Sequence, residues 1–186
     1  MTEIELKDET FYLNQINYQI RSLKDNQQYN DDDHASERIG ISSSTWPLFG
    51  LLWPSSIILA TTVTQMQLEN KRILEIGCGL ALSSIVLHSK GIDITASDYH
   101  PLAKQFLDKN ILDNALPPIQ YQTGNWDSEN PLLGKFDLII GSDILYEPAH
   151  SKTVANFIDI HSARDVEVIV VDPGRSNRSQ FSRNMK

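Results

Sequence analysis

A glycine-containing turn, followed about twenty positions later by an acidic residue, is the part of this sequence best suited to chemistry. A strand candidate at residues 72–76 runs into Gly77-Cys78-Gly79, and a second apolar run ends on Asp98. In nucleotide-binding βαβ units the turn makes room for the ligand, and the acid binds the ribose hydroxyls. The pattern therefore predicts that a nucleotide-type cofactor binds at this turn.

The identity of that cofactor is indicated by a missing glycine. Dinucleotide-binding turns follow the pattern G-x-G-x-x-G, and Leu82 occupies the third glycine position here. That glycine brings a helix N-terminus close to a pyrophosphate, so its absence disfavours NAD-type cofactors. S-adenosylmethionine has no phosphate and needs backbone room, an acid for its ribose and apolar walls for its adenine. Because Glu75 also replaces the usual neutral residue, Glu75-x-Gly77-x-Gly79 with Asp98 predicts an S-adenosylmethionine site.

Polar or aromatic residues follow all five predicted strands of the main sheet. Ligands of open parallel sheets bind outside the carboxyl ends of the strands, so these residues define one functional rim. In chain order they are Gly77 to Gly79, Asp98, Asn125 to Asp127, Ser142 to Glu147, and Asp172 to Arg175.

Several of these residues have an expected role. Trp126 is placed to form a wall for adenine, and Ser142 is small where the adenosyl group would pass closest to its strand. Asp143 and Tyr146 are three positions apart, which puts them on one face of a helical turn. A carboxylate can orient a lysine ammonium and an aromatic ring can pack beside it. The alternatives are helix N-caps for Asp98 and Asp143, and a half-buried core aromatic for Trp126.

The elements that position this rim follow from the hydrophobic pattern. A helix is predicted from Ser44 to about residue 68, broken or restarted at Pro54, and strands then alternate with helices. Strands separated by helices predict an α/β fold with a mostly parallel, Rossmann-like sheet. The predicted strands are 72–76, 93–97, 119–124, 136–142 and 166–172, and the predicted helices are 80–89, 101–114 and 149–162.

The first 45 residues are expected to form an extension that precedes a cofactor-binding domain at residues 46–186. Apolar residues at every second position from Ile16 to Ile20 predict a strand or hairpin. The polar residues 25–34 predict a mobile linker, with a lid over the substrate as the less favoured alternative.

Composition restricts the class of protein. The chain has 186 residues, 40% of them hydrophobic and 22% charged, which suits one globular domain. A net charge of −8 disfavours nucleic-acid binding and leaves a basic protein partner open. A single cysteine excludes an intrachain disulfide and indicates the cytoplasm. No signal peptide or membrane segment is expected, because prolines and serines interrupt the longest apolar stretch, residues 46–60.

Metal-dependent and hydrolytic chemistry are not indicated. The five histidines and one cysteine show no metal-binding spacing, and the sequence has no G-x-S-x-G nucleophile motif. We therefore expect no metal.

The chain resembles the class I methyltransferases of the lysine methyltransferase family 16 type, whose bacterial relatives are called predicted nicotinamide N-methylases. The resemblance covers about residue 40 to the end of the sequence. It rests on Trp46 to Pro54, Leu74 to Gly79, Ala96 to Pro101, Trp126, and Gly141 to Tyr146.

This resemblance implies roles for individual residues. Asp143 and Tyr146 correspond to an acid-x-x-aromatic motif beside the methyl acceptor. The turn from Asp172 to Arg175 is similar to one in relatives that methylate lysines of an electron-transfer flavoprotein subunit, which points to a protein substrate. The family's last antiparallel strands are expected to be missing. The implied cofactor contacts are Trp53, Gly77, Cys78, Gly79, Asp98, Trp126 and Ser142.

Together these observations predict an S-adenosylmethionine-dependent N-methyltransferase that acts on a protein lysine side chain. Methylation of a small molecule of the nicotinamide kind is the alternative enzyme reaction. A non-catalytic cofactor-binding module is the non-enzyme alternative, and an NAD-dependent dehydrogenase is the least favoured.

Overall fold

The computed structural model describes residues 4–186, which form a five-stranded sheet, six α-helices and a separate two-stranded hairpin. The hairpin strands are β1 (Leu6–Leu13) and β2 (Ile16–Leu23), and the sheet strands are β3 (Ile73–Ile76), β4 (Ile94–Asp98), β5 (Gln120–Thr123), β6 (Phe136–Ser142) and β7 (Ser162–Val171). The helices are α1 (Ala35–Arg38), α2 (Pro54–Val63), α3 (Leu82–Ser89), α4 (Ala103–Asp113), α5 (His150–His161) and α6 (Arg178–Asn184).

The main sheet is wholly parallel, with the strand order β5-β4-β3-β6-β7. The strand order reverses at β3, so β4 and β6 lie on either side of it. A crevice opens at such a switch point, outside the carboxyl ends of the strands. The predicted α/β fold with a Rossmann-like sheet is thus confirmed, and α6 is the only element that follows β7 among residues 4–186.

Helices cover both faces of the sheet because side chains alternate along each strand. Leu138 and Ile140 of β6 join a buried cluster with α2, whereas Ile139 between them joins a cluster with α5 and α6. The central strands are therefore apolar on both sides, as their nearly continuous hydrophobic sequences predict.

The hairpin predicted from the alternating apolar residues at 16–20 is confirmed, and it packs against α4. The edge of β2 is paired with two asparagine side chains that lie one helical turn apart. Asn110 accepts a hydrogen bond from the Arg21 amide at 2.8 Å, and Asn114 accepts one from the Gln19 amide at 2.9 Å. The side chains of Tyr18 and Ile20 are buried in a cluster that includes residues of α3 and α4.

The predicted break at Pro54 is present, but the segment before it is not the helix that the sequence predicts from Ser44. A 3-10 helix spans Trp46–Gly50, the backbone is then extended to Trp53, and α2 begins at Pro54 and ends at Val63. Proline is favoured in the first turn of a helix and forces an extended conformation on the residue before it, which explains the break.

The polar segment 25–34 leads into α1, which the sequence did not predict. Asp31 is almost fully buried, and its two carboxylate oxygens accept hydrogen bonds from the amides of Ser36 and Glu37 at 2.9 and 2.8 Å. Among the described residues, no helix has both the length and the apolar character needed to cross a membrane.

Candidate active site

A cavity of about 320 Å³ opens at the carboxyl ends of β3, β4 and β6. Nine of the ten predicted site residues line it, and Glu75 is the tenth. The nine are Trp53, Gly77, Cys78, Gly79, Asp98, Trp126, Ser142, Asp143 and Tyr146. The rim that the sequence predicts is therefore one continuous surface.

Two positions in the turn after β3 favour glycine, because of their backbone conformation and of the atoms packed against them. Gly77 and Gly79 both have left-handed backbones, with φ of +58° and +52°. A Cβ atom on Gly79 would lie 2.8 Å from the backbone oxygen of Phe49, and one on Gly77 would lie 3.0 Å from the Trp126 ring. Both glycines therefore let neighbouring protein groups pack directly against the backbone of a turn that lines the cavity. Burial of Cys78, between the two glycines, raises the pKa of its thiol well above the usual value, so the thiol stays neutral.

Asp98 connects the end of β4 to the glycine turn. Its Oδ2 accepts a hydrogen bond from the Gly79 amide and its Oδ1 accepts one from the His100 amide, each at 2.8 Å. Each carboxylate oxygen keeps a lone pair that could accept a ribose hydroxyl. Burial raises the pKa of Asp98. The N-cap alternative is not seen, because Leu102 stands at the cap of α4 and no side chain bonds there.

Glu75 lies behind the turn and outside the cavity lining. It is buried, and its Oε2 accepts hydrogen bonds from the Ser84 amide, at 2.9 Å, and from the Ser84 hydroxyl. Burial raises the pKa of Glu75 to about 7. The carboxyl group thus ties β3 to the first turn of α3 and supports the turn from below.

Aromatic rings form one wall of the cavity. The His150 ring is perpendicular to the rings of Trp126 and Tyr146, with centroid distances of 5.0 and 4.5 Å. On the opposite side, the Trp53 Nε1 donates a hydrogen bond to the Leu48 oxygen at 2.9 Å, which fixes this indole at the start of α2.

Asp143 follows β6 with a left-handed backbone, φ +56°, and its amide donates to the Val171 oxygen at 2.9 Å. Two nitrogens of Arg175, Nε at 2.8 Å and Nη2 at 2.6 Å, converge on its Oδ1. Its Oδ2 makes no hydrogen bond within residues 4–186. One carboxylate oxygen is therefore left to face the cavity mouth.

The predicted helical turn across Asp143 and Tyr146 is wrong. The segment between β6 and α5 is not helical, and α5 begins only at His150. Ile144 and Leu145, between the two residues, are both buried in the α5 cluster. The acid and the tyrosine nevertheless line the same cavity.

Arg175 and His150 both contact other residues of this site, and the sequence predicts a role for neither. Arg175 stands out in the sequence only as part of a turn, and His150 only as a histidine without metal-binding spacing. The position of Arg175 after the fifth predicted strand places it on the rim without a role, whereas His150 has no local signal because α5 brings it to the cavity. Among the described residues, no group of three or more His, Cys, Asp or Glu side chains could hold a metal ion.

Carboxylates dominate the mouth of the cavity. Asp127 and Glu147 are exposed there beside Asp143, and Arg175 is the cation that faces them. Tyr146 is 40% exposed, so the mouth reaches the molecular surface. Such a mouth attracts cations and can hold an amine against a ligand in the glycine turn.

Comparison with known proteins gives a consistent result. A family model described as lysine methyltransferase matches residues 16–186. Protein N-lysine methyltransferase METTL21A of Xenopus tropicalis is 26% identical over 75% of this chain and 66% of its own length. METTL21A of Danio rerio is 31% identical over 60% of this chain and 56% of that protein. A histidine protein methyltransferase 1 homolog of Dictyostelium discoideum is 32% identical over 59% of this chain and 38% of its own.

The chain thus aligns with between 38% and 66% of the length of these curated relatives. Among solved structures, the T. thermophilus 16S rRNA N2 G1207 methyltransferase, in complex with AdoMet and guanosine, matches 98% of this chain and 46% of its own. Its TM-score is 0.67 at 13% identity. The ribosomal protein L11 methylase of Lactobacillus delbrueckii subsp. bulgaricus matches 72% of this chain and 70% of its own, with a TM-score of 0.58 at 19% identity. The two structures show a shared fold, and the family match shows that this chain belongs to the lysine methyltransferase family, whose cofactor is S-adenosylmethionine.

Proposed function

We propose that this chain transfers a methyl group from S-adenosylmethionine to the side-chain nitrogen of a lysine in a protein. The observation that carries the proposal is the arrangement of the cavity: a glycine turn closed by Asp98 on one side, and Asp143 with Tyr146 at the mouth on the other.

The cofactor would be held by groups that fit its parts. The turn from Gly77 to Gly79 lines the cavity where the methionine portion would lie, and Asp98 offers two oxygens for the ribose hydroxyls. The indoles of Trp53 and Trp126 offer apolar walls for adenine. When bound, S-adenosylmethionine supplies a methyl group on a positively charged sulfur, which departs as a neutral thioether.

The acceptor would be held by the mouth. The free Oδ2 of Asp143 can receive an ammonium hydrogen while Arg175 fixes Oδ1. Burial raises the pKa of Tyr146 to about 12, so its ring stays neutral and can pack beside a cation. Fixing a nucleophile in line with its target is the main way in which a protein can accelerate such a transfer.

A protein acceptor is supported by the exposure of the mouth, since a lysine side chain of a large partner can enter it from the surface. The names of the METTL21A relatives point in the same direction. We further propose a reducing, cytoplasmic setting, because the one cysteine is a free thiol buried in the cofactor turn.

The test is incubation of the chain with methyl-labelled S-adenosylmethionine and a cell extract, followed by separation of proteins from small molecules. We expect label in proteins, and an Asp143→Asn variant should lower the rate at least about 100-fold. Asp159→Asn, on the exposed side of α5, removes the same charge and is the control.

Other outcomes would redirect the proposal. Label confined to the small-molecule fraction would indicate a nicotinamide-like acceptor, and no label in either fraction would indicate a non-catalytic module. A full rate in Asp143→Asn would remove Asp143 from the reaction.

A further inference from the structure

We infer that His150 is the catalytic base that accepts the proton lost by the lysine ammonium before methyl transfer. This inference rests on the proposed function. It assigns a group for the step that the reaction requires first, because a lysine with an ordinary pKa near 10.4 is protonated at neutral pH and has no lone pair.

The orientation of the ring determines which nitrogen is available. His150 Nδ1 lies 3.0 Å from the backbone oxygen of Ile144. A carbonyl oxygen can only accept a hydrogen bond, so Nδ1 carries the hydrogen. In a neutral imidazole the lone pair is then on Nε2, and no group among residues 4–186 lies within hydrogen-bonding distance of that atom.

The ring is also held in place at the cavity. Its perpendicular contacts with Trp126 and Tyr146 fix it from two sides, and it lines the same cavity as Asp143. The side chain is 14% exposed, which leaves Nε2 a route to the cavity but little freedom to rotate. An ammonium that packs beside the Tyr146 ring would meet the adjacent His150 ring, whose centroid lies 4.5 Å from that of Tyr146, directly or through one water.

The surroundings of His150 suit a base that is neutral before the reaction and tolerates a proton afterwards. Burial lowers its pKa, and its position as the first residue of α5 also disfavours the charged form. The charged groups that face it are Glu147, whose Oε2 is 3.9 Å from Nε2, and Asp127 from the loop after β5. Tyr146 stays neutral and cannot act as the base at this pH.

The proton balance is complete. The ammonium Nζ gives one proton to His150 Nε2 and becomes a neutral amine. The amine lone pair forms the nitrogen–carbon bond as the carbon–sulfur bond breaks, and the sulfur keeps that electron pair. The methylated nitrogen carries the positive charge, and the imidazolium releases its proton to solvent past the exposed Glu147.

The test is the pH dependence of transfer to the labelled proteins, measured for the wild-type chain and for His150→Asn. Asparagine can keep a donor to the Ile144 oxygen but has no Nε2. We expect the rate at pH 7 to fall about 100-fold. It should recover toward the wild-type rate near pH 10, where lysine loses its proton unaided. His161→Asn is the matched control, because His161 Nδ1 is 2.9 Å from the Gly134 oxygen at the far end of the same helix, away from the cavity.

Each outcome has a distinct meaning. An unchanged pH profile in His150→Asn would overturn the inference, and so would a loss that is equal at every pH, since that indicates a structural role. Failure of the wild-type chain to label any protein would instead overturn the proposed function. If His150→Asn does not fold, the ¹⁵N NMR spectrum of the wild-type ring decides: a proton on Nδ1 supports the base, and a proton on Nε2 contradicts it.

Discussion

At the scale of single residues, the glycine turn is limited by a steric contact as well as by its backbone conformation. Gly79 would place a Cβ against the Phe49 oxygen, whereas Gly91, which also has a positive φ, has nothing within 4 Å of the same position. Comparing alanine variants of the two glycines therefore separates the cost of a left-handed backbone from the cost of the steric contact with Phe49.

We predict that Gly79→Ala lowers the free energy of unfolding by about 1–2 kcal/mol more than Gly91→Ala does. Both variants carry the cost of a left-handed alanine, but only the first also displaces the backbone of Phe49. Urea denaturation measures the difference. Only Gly79→Ala should also weaken S-adenosylmethionine binding in calorimetry, and equal behaviour of the two variants would contradict the close contact.

Glu75 gives a pH-dependent prediction. Its pKa is raised in the folded chain to about 7 from 4.5, so the folded state favours the protonated acid. The stability that this acid contributes is present below pH 4.5 and is lost as the pH rises through 7.

Glu75→Gln cannot ionise, so its stability relative to the wild type should increase between about pH 5 and pH 8. The expected gain is on the order of 3 kcal/mol, measured by urea denaturation at several pH values. The exposed Glu69→Gln is the control. A difference between Glu75→Gln and wild type that does not vary with pH would show that Glu75 ionises normally.

At the scale of elements, the loop between β7 and α6 reaches across the rim to orient the acid after β6. Arg175 binds Oδ1 of Asp143 through two nitrogens and so directs Oδ2 toward the cavity. We expect Arg175→Met to lower kcat about 10-fold while KM for the protein acceptor stays the same or falls, because Asp143 is freed but no longer oriented. Arg178→Met, exposed on α6, is the control. A rise in KM with unchanged kcat would indicate that Arg175 binds substrate instead.

The attachment of the hairpin to α4 gives a second prediction at this scale. Asn110 is fully buried and accepts the Arg21 amide, so its loss leaves a backbone donor without a partner. Asn110→Ala should lower the free energy of unfolding by about 2 kcal/mol and speed hydrogen exchange at Arg21, while the Gln19 amide keeps its bond to Asn114. Asn26→Ala, in the exposed loop, should change neither. Slow exchange at Arg21 in Asn110→Ala would mean that the hydrogen bond to Asn110 does not protect this amide.

At the scale of the whole molecule, the sheet could be predicted because its central strands are buried on both faces and its strands are separated by helical segments. Apolar runs such as residues 136–142 need no tertiary information to be identified, and their carboxyl ends fix the rim. The functional edge of the sheet is therefore predictable from the hydrophobic pattern and the polar residues that follow each strand.

The features of the fold and of the site that the sequence does not predict depend on contacts between distant parts of the chain. The 3-10 helix at Trp46–Gly50 forms where Phe49 stacks on His100, with ring centroids 3.7 Å apart. The non-helical segment after Asp143 buries two successive apolar residues, Ile144 and Leu145. Glu75 is next to the turn in sequence, but its partner on α3 directs it away from the cavity. None of these contacts has a periodic signature.

The chemistry at the cavity mouth can be tested by identifying the amino acid that the chain methylates. Proteins labelled by the wild-type chain from methyl-labelled S-adenosylmethionine would be hydrolysed and separated against methylated lysine, histidine and arginine standards. We predict that the label elutes with methylated lysine and is lost with Asp143→Asn. Label on histidine or arginine, or no label in protein, would contradict it.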